Sequence, residues 1–176
     1  MSSQLRVDKI LPVDGAPTSG GGGIIQVVQT VKTDTFSTTS TSFTDITGYS
    51  VSITPKFDSS KILVSGTLVV GYGVATAYAM YFRLMRGSTP ICVGDADGNR
   101  SQASFGTQGL ANTDTTISFP FQFLDSPNTT SATTYKVQAT SENPQTLYIN
   151  RSLETDGNAS IVARFASTLT VMEISA

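Results

Sequence analysis

Apolar and polar side chains alternate along most of this chain with a period of two residues. In the segment 61–70, four apolar residues fall on one face and two hydroxyl residues on the other. Those on the apolar face are Ile62, Val64, Leu68 and Val70, and those on the polar face are Ser65 and Thr67. This alternation is typical of a β-strand that buries one side.

The same period recurs between polar turns, and it predicts nine or ten short strands. The clearest cover residues 24–32, 49–54, 61–70, 78–84, 119–123, 135–139, 147–149 and 167–174. In 78–84 we expect one inward-facing row, formed by Tyr78, Met80, Phe82 and Leu84. The alanines of 74–81 also fit a helical turn. Pro120, on the face opposite Phe119 and Phe121, indicates an edge strand or a bulge.

No segment of helical length has a 3.6-residue apolar period, so we predict an all-β fold, a jelly-roll-like β-sandwich with an extended N-terminal arm. The sandwich covers residues 24–176. Residues 1–23 form the arm and a glycine-rich linker.

The arm has the composition of a docking peptide. Its apolar side chains, with a proline, could add a strand to the edge of a partner's sheet. They are Leu5, Val7, Ile10, Leu11 and Pro12, interleaved with Arg6, Asp8 and Lys9. The run Gly20, Gly21, Gly22 and Gly23 would act as a hinge, because glycine adopts φ on both sides of zero. The alternative is a disordered terminus.

The charge pattern excludes several classes of partner. Charged residues are 14% of the chain, the formal net charge is −2, and no long basic run is present, so no nucleic-acid partner is expected. Apolar windows are too short for membrane insertion. Residues 1–20 lack the apolar core of a signal peptide. The single cysteine suits assembly in a reducing cytoplasm.

The sequence has little catalytic chemistry. It contains no histidine, which removes serine and cysteine nucleophile systems that rely on histidine, and all histidine-containing metal sites. Cys92 is therefore expected to be a small buried hydrophobic residue. The glutamates at 142, 154 and 173 form no obvious pair for glycoside hydrolysis. We predict no enzymatic activity, no cofactor and no metal.

One polar segment, residues 94–116, is long for a loop, and long loops on rigid scaffolds are often functional. Asp95, Asp97, Asn99 and Arg100 in it form a candidate receptor-contacting loop, although a solvated loop without a partner is an equal alternative. The first three match the start of a calcium loop. Arg100 stands where that loop needs glycine, so a tight turn is the favoured interpretation.

Several aromatic and aliphatic residues on predicted strands are candidates for contacts outside the chain. Tyr72, Tyr78 and Tyr81 could stack on a sugar ring, but core or subunit-interface roles are favoured at strand spacing. Candidate residues for a buried subunit contact are Ile24, Val27, Tyr78, Tyr81 and Val171.

The opening LRVDKILPVDG, the glycine bridge and the run from Ile24 to Gly66 resemble tail-fibre-type or appendage virion proteins of tailed phages, of the marine and cyanobacterial phage type. The resemblance implies a structural virion protein assembled in the host cytoplasm. It also implies a homotrimer attached to tail, portal-proximal or capsid proteins, with a role in host attachment. No shaft-like repeat separates arm and domain, which favours a short fibre or appendage.

Two alternatives stay open beside this interpretation. One is a capsid decoration protein without a receptor role. The other is a carbohydrate-binding module. A host-surface glycan is a candidate partner of such a module or of a host-contacting fibre.

Overall fold

A computed structural model describes residues 23–73, 78–110, 112–153 and 162–175. Within them the chain forms eleven strands. These are β1 (Ile24–Lys32), β2 (Phe36–Thr38), β3 (Thr44–Ile53), β4 (Lys61–Tyr72), β5 (Ala79–Arg86), β6 (Thr89–Ile91), β7 (Phe105–Gln108), β8 (Thr116–Asp125), β9 (Thr133–Ser141), β10 (Leu147–Ile149) and β11 (Ser167–Ile174). The described residues contain no helix long and apolar enough to cross a membrane.

The strands form two antiparallel sheets, here called sheet A and sheet B. In sheet A, β8 occupies one edge of β4 along almost its whole length, and β11 and β10 share the other edge end to end. β1 pairs with β11, and β2 pairs with β10. Sheet A therefore has four strand positions, in the order β1/β2, β11/β10, β4 and β8.

Sheet B is built in the same way around β5. β9 pairs with one edge of β5 and β3 pairs with β9. β6 and β7 share the other edge of β5 end to end. The four positions are β3, β9, β5 and β6/β7.

The path of the chain through these eight positions is that of a jelly roll. The chain passes from β1/β2 in sheet A to β3 in sheet B, back to β4, and then to β5 and β6/β7 in sheet B. It returns to β8, crosses to β9, and ends in β10/β11. Eight antiparallel positions in two sheets, wound in this order, define the jelly-roll architecture. The predicted fold class is confirmed.

The core lies between the sheets, and aliphatic side chains and buried tyrosines fill it. Tyr49 reaches from sheet B to sheet A, where its hydroxyl lies 2.8 Å from the carbonyl oxygen of Thr168. Tyr135 donates a hydrogen bond of 2.6 Å to the buried carboxylate of Asp125. Burial, reinforced by that carboxylate, raises the pKa of Tyr135. The hydroxyls of Tyr49 and Tyr135 thus both have a partner, as burial of a polar group requires.

Phenylalanine rings fill the space between the two sheets on the side of the sandwich where β8 and β6/β7 are the edge strands. The rings of Phe82 and Phe105 stack with centroids 5.3 Å apart, and those of Phe105 and Phe121 with centroids 5.1 Å apart. Phe119 packs against both Phe82 and Phe105. The alternation in β8 therefore has the predicted inward face, and Pro120 lies on an edge strand as expected.

Some sequence predictions were wrong in detail. Tyr78 was predicted to point inward, but it precedes β5, which begins at Ala79, and it is 38% exposed. Val171 cannot form a subunit contact, since it is fully buried in the core. Tyr72 cannot stack on a sugar for the same reason. The short strands β2, β6 and β7 were not predicted, because three or four residues carry too little alternation.

Three strand positions are interrupted along the chain. Residues 33–35 separate β1 from β2, residues 92–104 separate β6 from β7, and residues 150–166 separate β10 from β11. The two long segments leave a strand and return to the same strand position, so they are excursion loops. Residues 154–161 of the second loop lie outside the described structure.

Both excursion loops leave their strand through a residue with positive φ. Cys92 follows β6 with φ of 53°, and Asn150 follows β10 with φ of 63°. Both return through a serine whose hydroxyl accepts a hydrogen bond from the backbone of the neighbouring strand. Ser104 accepts from the Leu84 amide at 2.9 Å, and Ser167 accepts from the Val69 amide at 3.0 Å. A side chain thus replaces the backbone partner that the interrupted strand lacks.

Candidate functional site

A cleft of about 440 Å³ lies beside the first excursion loop, at the edge of sheet B. Its floor is Tyr81 of β5 together with β7, and its wall is the loop. The lining residues are Tyr81, Gly94, Asp95, residues 101–103 and residues 105–108. The cleft thus joins the polar loop to Tyr81, one of the three tyrosines predicted as candidates for stacking on a sugar ring.

The base of the loop is held by hydrogen bonds. The Gln102 side-chain amide donates to the Gly94 carbonyl at 2.8 Å, and the Gly94 amide donates to the Ala103 carbonyl at 3.2 Å. Arg83 of β5 donates from Nε to the Gln102 carbonyl at 2.8 Å. Its guanidinium carbon lies 3.7 Å from the ring centroid of Phe43, a cation–π contact. The wall of the cleft is therefore fixed to the sheet.

The tip of the loop is an exposed turn around Gly98, whose φ is 53°. The Arg100 amide donates to the Asp97 carbonyl at 3.0 Å, and the two side chains form an exposed ion pair of 3.3 Å. This geometry agrees with the turn interpretation. Of the four predicted loop residues, Asp95 lines the cleft, whereas Asp97, Asn99 and Arg100 do not.

Cys92 contradicts its prediction. It is exposed, not buried, because the strand ends at Ile91 and the positive φ of Cys92 turns the chain out of the sheet. A residue next to the inward-facing Ile91 would point outward even if the strand continued.

The floor of the cleft depends on Gly106. This residue is directly opposite Tyr81 in the β5–β7 register. A Cβ atom at Gly106 would lie 2.5 Å from the Met80 carbonyl oxygen and 3.0 Å from Cδ1 of Tyr81. The glycine therefore leaves the space that the tyrosine ring occupies, and it sets the ring at the cleft.

The lining combines an aromatic ring with side-chain hydroxyls, amides and a carboxylate. Gln108, Ser101 and Thr107 can each donate and accept hydrogen bonds, and Asp95 can accept them. A ring beside several such groups suits a ligand with both an apolar face and many hydroxyls, which is the chemistry of a saccharide. Among the described residues, no group of three or more His, Cys, Asp or Glu side chains is placed to hold a metal ion.

The predicted docking residues Leu5, Val7, Ile10, Leu11 and Pro12 lie outside the described residues, as do Gly20, Gly21 and Gly22. Gly23 is described and pairs with Ser175. Its amide donates to the Ser175 hydroxyl at 3.2 Å, and its carbonyl accepts from the Ser175 amide at 3.0 Å. The β1–β11 ladder thus extends to Gly23.

Sequence reasoning missed Gln102, Ser104 and Gly106, which hold the cleft in place. A serine or glutamine in a polar loop carries no signal of its own. The pairing of Gly106 with Tyr81 becomes visible only when β7 is placed beside β5.

Fold and cleft together define a jelly-roll domain with an aromatic and polar surface site. No protein-family model and no curated protein matches the sequence.

Among solved structures, the chain is similar to that of the infectious bursal disease virus Gx strain, with 13% identity and a TM-score of 0.41. This match covers 99% of this chain and 46% of that one. For the T=1 particles derived from infectious bursal virus, the identity is 15% and the TM-score 0.42, with 97% and 42% covered. For the VP2 subviral particle of infectious bursal disease virus, the identity is 16% and the TM-score 0.40, with 98% and 42% covered. The chain thus spans less than half the length of each.

Proposed function

We propose that this chain is a structural protein of a virus particle, in which residues 1–23 attach the jelly-roll domain to other virion proteins. The observation that carries the proposal is the jelly-roll strand order, an architecture that viral capsid domains use. The resemblance of residues 5–15 and of residues 24–66 to tail-fibre-type phage proteins supports the same class. The protein would then be found in the virion, as a short fibre, an appendage or a decoration protein.

Lectins and cupins share this architecture, so the side chains between the two sheets must be considered before a function is assigned. Here Tyr49, Tyr72, Phe82 and Leu68 are fully buried between the sheets. A cupin-type enzyme site inside the sandwich would need that space and metal-binding side chains such as histidine, which the sequence lacks. The proposed role is therefore structural and adhesive, with contacts made by outer faces, loops and the arm.

Deleting residues 1–22 is expected to leave the domain folded but absent from assembled particles. Gly23 still pairs with Ser175, so the β1–β11 ladder is retained. Circular dichroism and the melting temperature would report folding, and quantitative protein analysis of purified particles would report incorporation. As a matched control, deletion of residues 14–19 keeps the apolar segment and all four consecutive glycines, and it should preserve incorporation. Normal copy number of the 1–22 deletion in particles would refute the anchoring role.

A second candidate function, saccharide binding, is favoured by the cleft at Tyr81. On a glycan array, Tyr81→Ala should weaken binding of any recognised glycan by roughly tenfold, or about 1.4 kcal/mol, by removing the stacking surface. Tyr78→Ala is the matched control, because Tyr78 is 38% exposed but does not line the cleft.

Shortening the first excursion loop tests whether the wall of the cleft also contributes to glycan binding. Replacing residues 95–101 by a short Gly-Ser turn keeps Gln102 and Ser104, which fix the base. This variant should fold and lose glycan binding. If the full-length protein binds no glycan, or if Tyr81→Ala and Tyr78→Ala bind alike, the saccharide assignment fails while the virion role stands.

A further inference from the structure

The outer face of sheet A carries a row of four apolar side chains that crosses the sheet. Val27 pairs with Met172, Met172 with Leu63, and Leu63 with Leu124. Each is flanked in its strand by inward-facing residues, so all four point away from the core. Val27 is 55% exposed and Leu124 is 51% exposed. We call these four residues the apolar row.

Further apolar residues lie on one side of the apolar row, and uncharged polar residues lie on the other. Ile24 is 59% exposed and pairs with Ile174 at one end of the sheet. On the other side, the next row consists of Gln29, Thr170, Ser65 and Gln122. An apolar centre beside an uncharged polar margin is the composition of a protein–protein interface. Contiguous exposed apolar side chains of this kind mark interaction sites.

The outer faces of the two sheets differ sharply in charge. Among the outward-facing side chains of β1, β11, β4 and β8, all of which are described, Lys61 at the border is the one charged residue. The outer face of sheet B instead carries Asp45, Lys136 and Arg83. Lys136 and Asp45 form an ion pair of 2.6 Å there, and the neighbouring lysine lowers the pKa of Asp45. In sheet A, Arg151 adds a charge at the β10 end, where its guanidinium carbon lies 4.1 Å from the ring centroid of Tyr148. The part of sheet A that carries the apolar row thus lacks the charged surface that sheet B has.

We propose that two copies of this chain associate through the outer faces of sheet A, with the apolar rows in contact. A face almost without charge can meet its own copy without electrostatic repulsion. Four strands about 4.8 Å apart and about eight residues long present roughly 500 Å² per copy, so roughly 1,000 Å² is buried in total. That area is at the lower limit for a specific interface, and we expect a dissociation constant in the micromolar range.

The contact is two-fold, because the same surface is used on both copies. It therefore predicts a dimer of 2 × 18.5 = 37 kDa. The homotrimer implied by the phage-protein resemblance would need another surface. The inference concerns the protein in solution and holds or fails independently of a role in a virion.

The test is sedimentation of the full-length protein from 1 to 200 μM, with Leu124→Asp as the principal variant. A charge at the apolar row should weaken dimerisation at least tenfold, because the contact would desolvate it, while Lys61 at the border already donates to the Ser126 hydroxyl at 2.7 Å. Leu153→Asp is the matched control, because it makes the same substitution at another exposed leucine. Leu153 follows Ser152, which packs against Gly71, and Gly71 lies at the opposite end of β4 from Leu63. It should leave the dimer unchanged. If Leu124→Asp does not fold by circular dichroism, Val27→Gln replaces it.

Four results would overturn the inference. The first is a monomer throughout the concentration range, and the second is a trimer that Leu124→Asp leaves intact. The third is equal loss of the dimer in Leu124→Asp and Leu153→Asp. The fourth is a full-length monomer whose 1–22 deletion dimerises. The last result would show that the chain's own arm covers the face.

Discussion

Replacing Asn150 by alanine is expected to lower the free energy of unfolding by about 3 kcal/mol. This side chain is fully buried where β10 ends and the second excursion loop begins. Its amide nitrogen donates to the carbonyls of Lys32 at 2.8 Å and Asp34 at 3.0 Å. Its amide oxygen accepts from the Ser167 hydroxyl at 2.6 Å. One residue thus joins the break between β1 and β2 to the re-entry into β11.

The magnitude has two sources. Alanine leaves buried hydrogen-bonding groups without a partner, and each such group costs about 1–3 kcal/mol. Alanine must also adopt the positive φ of 63° at this position, which costs about 1 kcal/mol and which asparagine tolerates better. The hydrogen bonds are therefore expected to contribute more than the backbone conformation.

Two variants separate these contributions. Asn150→Gly loses the same hydrogen bonds but accepts the positive φ, so it should be about 1 kcal/mol more stable than Asn150→Ala. Asn128→Ala is the matched control, since Asn128 has φ of 51° but an exposed side chain, and it should cost only about 1 kcal/mol. Urea unfolding followed by circular dichroism measures all three. Equal losses in Asn150→Ala and Asn128→Ala would show that the buried hydrogen bonds contribute nothing.

Replacing Gly66 by alanine is expected to cost a similar amount, about 3 kcal/mol, through overpacking in the centre of the sandwich. A Cβ atom here would lie 2.5 Å from the Thr168 carbonyl oxygen, 2.8 Å from Cζ of Phe121 and 3.0 Å from the Tyr49 hydroxyl. The first contact is with backbone in a paired strand, which cannot move without disturbing the β4–β11 ladder. Overpacking of this kind costs about 1–3 kcal/mol, and the backbone contact favours the upper end.

Gly94→Ala is the control for the glycine-to-alanine substitution itself, because no atom lies within 4 Å of a Cβ at that position. It should change stability by less than about 0.5 kcal/mol. A double-mutant cycle with Tyr49→Phe tests the mechanism, since removing the hydroxyl frees one of the three crowded contacts. The two losses should then be less than additive by about 1 kcal/mol. Additive losses, or a Gly66→Ala protein as stable as Gly94→Ala, would contradict the packing argument.

Periodicity predicted the strands wherever one face of a strand is buried and the other is not. The first strand was predicted at 24–32 and is found there, and the inward face of β4 was assigned correctly. The signal failed where strands are short or where the chain turns out of a sheet. Cys92 was expected to be buried but is exposed, because it follows the inward-facing Ile91 and its positive φ of 53° turns the chain out of the sheet.

The candidate site was predicted only in part. Polarity and length predicted a loop at residues 94–116, but the excursion loop covers residues 92–104, since β7 occupies Phe105–Gln108 and β8 begins at Thr116. Spacing identified Tyr81 as an aromatic residue on a strand. Spacing could not distinguish Tyr81 from Tyr72, since both occur in strands of apolar composition. Tyr72 lies on the inner face of sheet A, whereas Tyr81 lies opposite Gly106 at the cleft.

The sequence by itself determined the all-β class, the inward faces of the long strands and the presence of the polar loop that follows β6. These depend on local composition, because alternation and turn residues act over a few neighbouring positions. The tertiary structure decided which strands share a position, why Asn150 and Gly66 are required, and that Val27, Met172, Leu63 and Leu124 form one row. These depend on register between strands distant in sequence, such as β1, β4, β8 and β11. Register is set by packing over the whole sandwich, and no local pattern records it.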